Sequence, residues 1–106
     1  MYKLVIWDTQ MKVDITRTTY SLSKNLAVIL YDDKGEELTV LTVDLPDNGI
    51  SLDEDTQYVD INNCPWAPAF LVENDLAYPL GIYEQSGYCV YPLFKFNINK
   101  IKKEEY

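Results

Sequence analysis

Two apolar runs, Leu26-Ala-Val-Ile-Leu-Tyr31 and Leu38-Thr-Val-Leu-Thr-Val43, flank the short polar segment Asp32-Asp-Lys-Gly-Glu36. Gly35 supplies the positive φ that a tight reversal needs, and Asp33 is placed to hydrogen-bond the turn backbone. The spacing therefore predicts an antiparallel hairpin between Leu26 and Asp44. Upstream, Met11, Val13 and Ile15 alternate with Lys12, Asp14 and Thr16, the period-two pattern of a strand with one wet face. The opening segment, Tyr2 to Asp8, is less polar and reads as a strand buried on both faces.

From Leu45 to Thr56, Pro46, Asp47, Asn48, Gly49 and Asp53-Glu54-Asp55 carry loop chemistry and predict a long, exposed acidic loop. Tyr58 to Ile61 reads as a short edge strand. Asn62-Asn63 can cap a helix whose first turn tolerates Pro65, and Pro68 removes at most one early backbone bond. Trp66 with Phe70, and Ala67 with Leu71, are spaced i to i+4 and share a face toward the sheet, before Glu73-Asn74-Asp75 ends the helix. A loop is expected from Pro79 to Gly87. Tyr88 to Phe96 reads as a strand in which Pro92 argues for an edge or a bulge. The fold class is α+β: a mainly antiparallel sheet of about five strands with one short helix packed on one face. It forms a single domain over residues 1–98, and residues 99–106 form a charged C-terminal tail.

With 106 residues and 47% hydrophobic content, the chain has enough apolar material for one core. It has neither a cationic start followed by an apolar stretch nor a run long enough to span a bilayer, so the expectation is a cytoplasmic protein without a membrane role. Cys64 and Cys89 lie in unlike contexts and are expected as largely buried free thiols.

Charge is distributed unevenly. From Asp32 to Glu84 there are thirteen carboxylates against one base, Lys34, a local net charge of −12 within a whole-chain value of −8. Such a field repels phosphate and attracts basic surfaces. Nine tyrosines, two tryptophans and three phenylalanines could stack bases, but nucleic-acid modules pair such platforms with a basic groove. Here only Lys95, Lys100, Lys102 and Lys103 form a basic stretch, so no direct nucleic-acid binding is expected.

Catalytic chemistry finds little support. There is no histidine, which removes a Ser-His or Cys-His nucleophile and the commonest zinc ligand. Asp53-x-Asp55 resembles the start of a calcium loop, yet Tyr58 and Cys64 stand where that loop needs glycine and glutamate. Asp44, Asp60 and Glu84 are conceivable acid–base partners, but solvated acids at strand ends explain them as well. The expectation is a non-enzymatic protein with no metal and no cofactor.

The residues VDINNCPWAPAFLVENDLAYPLG from Val59, followed by SGYCVYPLFKFN, resemble the C-terminal half of a small bacterial family, number 4313 in the domain-of-unknown-function series. LAVILYDDKGEELTVLTVDLP is similar to its central half, so the resemblance spans roughly residues 20 to 97. Asp60-x-Asn62-Asn63-x-Pro65-Trp66 and Ser86-Gly87-Tyr88-Cys89-x-Tyr91-Pro92 carry most of its specificity. A glycine often ends the helix in similar sequences, whereas Asn74-Asp75 occupies that place here. The resemblance implies a small cytoplasmic protein, often carried on mobile elements of Gram-positive bacteria, with no catalytic residues to transfer.

Two functions of different class follow. The first is an inhibitory or regulatory interaction protein, mobile-element or phage-encoded. Its residues Asp32, Asp33, Glu36, Glu37, Asp53, Glu54 and Asp55 would stand in for phosphates at a basic protein surface, such as the nucleic-acid groove of a host defence or DNA-processing protein. The second is a small-molecule or peptide-binding accessory domain, with a pocket between helix and sheet lined by Trp66, Tyr88 and Tyr91. Either a monomer or a homodimer paired through an edge strand is compatible with the sequence.

Overall fold

The first two strands, β1 (Tyr2–Ile6) and β2 (Thr9–Thr19), close around a two-residue turn, Trp7-Asp8, with Ile6 opposite Thr9 and Tyr2 opposite Val13. This computed structural model describes residues 1–45 and 52–104. Met11, Val13 and Ile15 face inward as their alternation predicts, Val13 being fully buried. β1 is not buried on both faces. Leu4 is in the core while Lys3 and Val5 are exposed, because β1 is the outermost strand and only one of its faces meets the core.

The central hairpin forms between β3 (Leu26–Asp32) and β4 (Glu37–Val40). Gly35 takes φ +82° as expected, but the carboxylate that organises the turn is Asp32 rather than Asp33. Its Oδ1 accepts the backbone N–H groups of Lys34 at 2.8 Å and Glu36 at 2.9 Å. The second arm does not run unbroken to Val43. At Leu41, which has no exposed surface, the N–H donates to the Val28 carbonyl and the carbonyl accepts from the Asp60 N–H. One residue thus belongs to two sheets, and the chain leaves the first for the second as β5 (Thr42–Val43).

The second sheet contains β6 (Thr56–Val59), β7 (Ala77–Ser86) and β8 (Cys89–Phe96) in the order β5-β6-β8-β7. Instead of an edge strand over 58–61, β6 is an interior strand whose four residues are all buried. Of the loop expected between Leu45 and Thr56, residues 46–51 lie outside the described residues. The Pro79–Gly87 loop is replaced by strand: β7 pairs with β8 from Ala77↔Phe96 to Ser86↔Cys89, broken by a bulge between Pro79 and Tyr83 where Gly81 takes φ +77°. The reversal itself is Gly87-Tyr88, with Gly87 at φ +63°.

Between β6 and β7 lies α1 (Ala67–Glu73), the one α-helix among the described residues. Asn62-Asn63 does not cap it. Asn63 bonds Asp60 through its backbone and side-chain nitrogens, and the helix starts after Trp66 with a proline in its first turn. Its end is a Schellman motif: the Leu76 N–H donates to the Leu71 carbonyl at 2.8 Å and the Asp75 N–H to Val72 at 3.1 Å, with Leu71 and Leu76 both fully buried. Asp75 takes the left-handed conformation, φ +56°, that glycine would adopt without strain.

The core joins Val13, Ile15, Val28 and Leu30 of the first sheet to Val59, Phe94 and Phe96 of the second, with Phe70 and Leu71 of the helix. The C-terminal segment, expected to trail as a charged tail, is docked up to residue 104. Ile101 is buried, and β9 (Lys102–Lys103) pairs in parallel with Thr16 and Arg17 of β2. Arg17 Nε fixes this segment by donating to the carbonyls of Ile98 and Ile101. Glu105 and Tyr106 lie outside the described residues. The architecture is α+β and mainly antiparallel with a single short helix, its strands divided between a five-stranded and a four-stranded sheet.

Candidate functional site

The seven acids singled out from the sequence occupy two places. Asp32, Asp33, Glu36 and Glu37 cluster at the tip of the β3–β4 hairpin. Asp53, Glu54 and Asp55 precede β6, and Gln57, two residues on, bonds the carbonyl of Leu26 at the opposite end of β3. The six-residue separation of Leu26 and Asp32 along an extended strand is roughly 20 Å, so the acids do not merge into one ridge. Two of them also serve the fold: Asp32 holds its turn, and Asp55 lies 3.7 Å from the Lys95 ammonium.

Trp66, Tyr88 and Tyr91 do not line one pocket. Tyr88 sits at the β7–β8 reversal with its whole side chain in solvent, and Tyr91 is half-buried on β8. Trp66 packs edge-on against Phe70, ring centroids 6.3 Å apart, at the margin of the core. It separates two adjoining cavities beside β1. One of about 360 Å³ is lined by Lys3, Leu4, Val5, Ala69, Phe70 and Glu73, the other of about 530 Å³ by Val5, Ile6, Trp7, Asn63 and Pro65.

The most exposed apolar feature is the β7–β8 hairpin. Tyr78, Leu80, Ile82, Tyr83, Tyr88 and Val90 are all exposed, and Glu84 is the sole charge between Ala77 and Val90. From Tyr78 to Tyr83 every residue is exposed, so the period-two burial of a packed strand is lost and both faces stand in solvent. β7 is also the outer strand of its sheet. Sequence reasoning missed this element because Pro79 and Gly81 read as loop residues. The available signal was the apolar run Tyr78-Pro-Leu-Gly-Ile-Tyr83, free of charge in an acidic chain.

Other partly or fully buried polar groups serve the fold. Asp44 accepts hydrogen bonds from Ser23 Oγ, Asn25 Nδ2 and Gln57 Nε2. Burial pushes its carboxyl pKa up, but these three donors outweigh burial and hold it below the usual value. Burial pushes the Cys64 thiol pKa up, against the opposing effect of a 3.5 Å contact with Thr39 Oγ1. Neither Cys64 nor Cys89 is in a disulfide. A third cavity, about 510 Å³, lies against β9 between Asp14, Tyr31, Lys102 and Glu104, and Tyr31 donates to Glu104 Oε1 at 2.6 Å across it. Among the described residues no group of side chains is arranged to hold a metal ion, and no helix is long and apolar enough to cross a membrane.

The family model described as Domain of unknown function (DUF4313) matches residues 14–106, most of the chain. No curated protein and no solved structure matches.

Proposed function

The chain belongs to the DUF4313 family, and from that premise we propose that it is a non-catalytic protein-interaction module that docks a basic protein partner through the β7–β8 hairpin. The observation that carries this reading is the hairpin itself: six exposed large apolar side chains, on a strand pair whose outer strand is exposed at every residue from Tyr78 to Tyr83. Contiguous exposed apolar surface of this kind marks interaction sites, and tyrosines supply large contact area at low entropic cost. Glu84 is the one charged residue from Ala77 to Val90, so covering this surface desolvates a single charge.

The partner's basic character follows from the remainder of the chain. A net charge of −8 raises the encounter rate with a positive surface and disfavours acidic ones. Because Asp32, Asp33, Glu36 and Glu37 lie at the far end of β3 from Asp53, Glu54 and Asp55, the acids act mainly as a long-range field rather than as one phosphate-like ridge. The narrower proposal is an inhibitor, carried on a mobile element, that occupies the nucleic-acid-binding surface of a defence or DNA-processing protein. It rests on this charge and on the family resemblance. The protein acts in the cytoplasm on this reading.

A photo-crosslinking amino acid at position 83, compared with one at position 33, tests the docking surface in a native host lysate. Cross-linking to a single basic protein from position 83 and not from position 33 supports the hairpin. The reverse pattern refutes it.

A further inference from the structure

A second surface, independent of the hairpin, lies along β1. Ile6 and Thr9 flank a two-residue turn and therefore exchange hydrogen bonds, and by the antiparallel alternation so do Leu4 with Met11 and Tyr2 with Val13. The backbone N–H and carbonyl groups of Lys3 and Val5 consequently point away from β2. β1 is the outer strand of its sheet, and nothing among the described residues pairs with that side.

This open edge is not a flat rim. Across from it stands α1, and the two cavities on either side of Trp66 fill the space between: Lys3 and Val5 line the first together with Ala69, Phe70 and Glu73, and Val5 lines the second together with Trp7 and Pro65. Trp7 is held at φ +56° with its side chain almost wholly exposed. A bulky residue in the left-handed region is strained, and such strain collects at ligand-binding positions. The chain's two tryptophans thus wall one cavity, one packed at the helix start and the other held out by the turn.

We propose that an extended peptide segment of a partner protein adds to the open edge of β1 as a further strand and inserts two side chains, two residues apart, on either side of Trp66. Successive side chains on one face of a strand are about 6.7 Å apart, the spacing that one intervening indole requires. Strand addition takes its affinity from main-chain bonds, here to Lys3 and Val5, and its specificity from such pockets.

Charge complementarity fixes the side chains. Lys3 turns its side chain to the outer face, opposite to Leu4, and Glu73, exposed in the first cavity, forms no ion pair among the described residues, so a basic side chain lies there with its stem on Phe70 and its cation near the Trp66 face. The second cavity, between Trp7, Ile6, Pro65 and Trp66, takes an aromatic or large aliphatic side chain. The intervening residue points to the outer face opposite Val5, while the residue on the other side of the basic one lies opposite Lys3, whose cross-strand partner is Lys12, and favours an acid.

Selection of a random decapeptide display library on the full chain tests this. The comparison baits are the Ala69→Trp variant, which fills the first cavity from an exposed helix position, and the Tyr83→Ser variant of the hairpin. Expected is enrichment of peptides with Arg or Lys two positions from an aromatic or large aliphatic residue, on the parent and on Tyr83→Ser. A synthetic copy of the leading peptide should bind Ala69→Trp and Trp7→Gly at least about tenfold more weakly. It should slow hydrogen exchange at the Lys3 and Val5 amides. Overturning results are no enrichment over the Ala69→Trp bait, unaltered exchange at those two amides, or concentration-dependent protection of them without peptide, which would assign the edge to a second copy of the chain. Loss of enrichment on Tyr83→Ser alone would overturn the β1 site while leaving the hairpin reading intact.

Discussion

Gln57 and Asp44 are joined by a 3.2 Å hydrogen bond from the Gln57 amide nitrogen to Asp44 Oδ1, and the same nitrogen reaches the Leu26 carbonyl at 3.0 Å. Gln57 is fully buried, and its own Oε1 accepts the Tyr58 N–H at 2.8 Å. One side chain of the second sheet therefore satisfies a backbone carbonyl at the end of the first and the Asp44 carboxylate beyond β5. Gln57→Leu leaves those groups without their partner and is expected to destabilise the domain by about 1–3 kcal/mol in a urea titration. A loss below about 0.5 kcal/mol would mean that the Gln57 amide adds little to the backbone bonds of Leu41 and the apolar packing that join the sheets.

The Asp44 carboxylate should make stability depend on pH. Burial raises its pKa, but the donors Ser23, Asn25 and Gln57 outweigh burial, so the folded value lies below the unfolded one. The contribution is therefore complete above the unfolded value of about 3.9 and is lost as pH falls through the folded value. In Asp44→Asn that contribution is absent. The stability difference between parent and variant should be constant from pH 7 to about 5 and shrink toward pH 3. A difference independent of pH would contradict the assignment.

Core substitutions separate two aromatic residues that the sequence treats alike. Phe70 is 4% exposed, whereas Trp66 sits at the margin of the core beside two cavities. Phe70→Ala is expected to destabilise by about 3–5 kcal/mol. Trp66→Ala should cost roughly half as much, because less of its surface is buried. Equal losses would place Trp66 inside the core and remove it from the groove.

What the sequence conveyed best was local. The β3–β4 hairpin was legible because Gly35 and the apolar runs agree, and the helix because Trp66, Phe70, Ala67 and Leu71 keep its period. Leu41 was not legible as the crossing point, since a residue that bonds Val28 and Asp60 at once looks like any other strand leucine. β7 was misread because Pro79 and Gly81 are tolerated at a bulge on an outer strand. The acids were legible as charge, but their separation along β3 depends on which strands pair, and that is a property of the whole sheet. Trp7 escaped notice because Trp-Asp is not a turn dipeptide.

Two left-handed residues should accept glycine. Asp75, at φ +56°, ends the helix where glycine is favoured, and its one ion pair among the described residues is an exposed 3.7 Å contact with Lys100. Asp75→Gly is expected to raise stability by about 0.5–1 kcal/mol. Trp7→Gly should leave the melting temperature unchanged or higher, since the exposed indole contributes little packing. A marked fall in either case would show that the residue makes contacts outweighing its backbone strain.

The docked C-terminal segment should matter to folding. Ile101 is 2% exposed and its carbonyl accepts from Arg17 Nε at 3.0 Å. Ile101→Ala is expected to cost about 2–4 kcal/mol, and truncation before Ile101 at least as much. Unchanged thermal unfolding in both would return this segment to the status of a solvated tail.

The direct test of the hairpin as the docking surface is the binding kinetics of the cross-linked partner, purified, with three forms of the chain. In the combined Ile82→Ser, Tyr83→Ser and Tyr88→Ser variant, dissociation should accelerate enough to weaken affinity at least about a hundredfold, with the melting temperature unchanged, because exposed anchors contribute to binding rather than to folding. In the Asp53→Lys, Glu54→Lys and Asp55→Lys variant, the loss should fall mainly on the association rate and fade with added salt. Undiminished binding by the hairpin variant would contradict the account, and the contradiction would be complete if the acid reversal alone abolished binding.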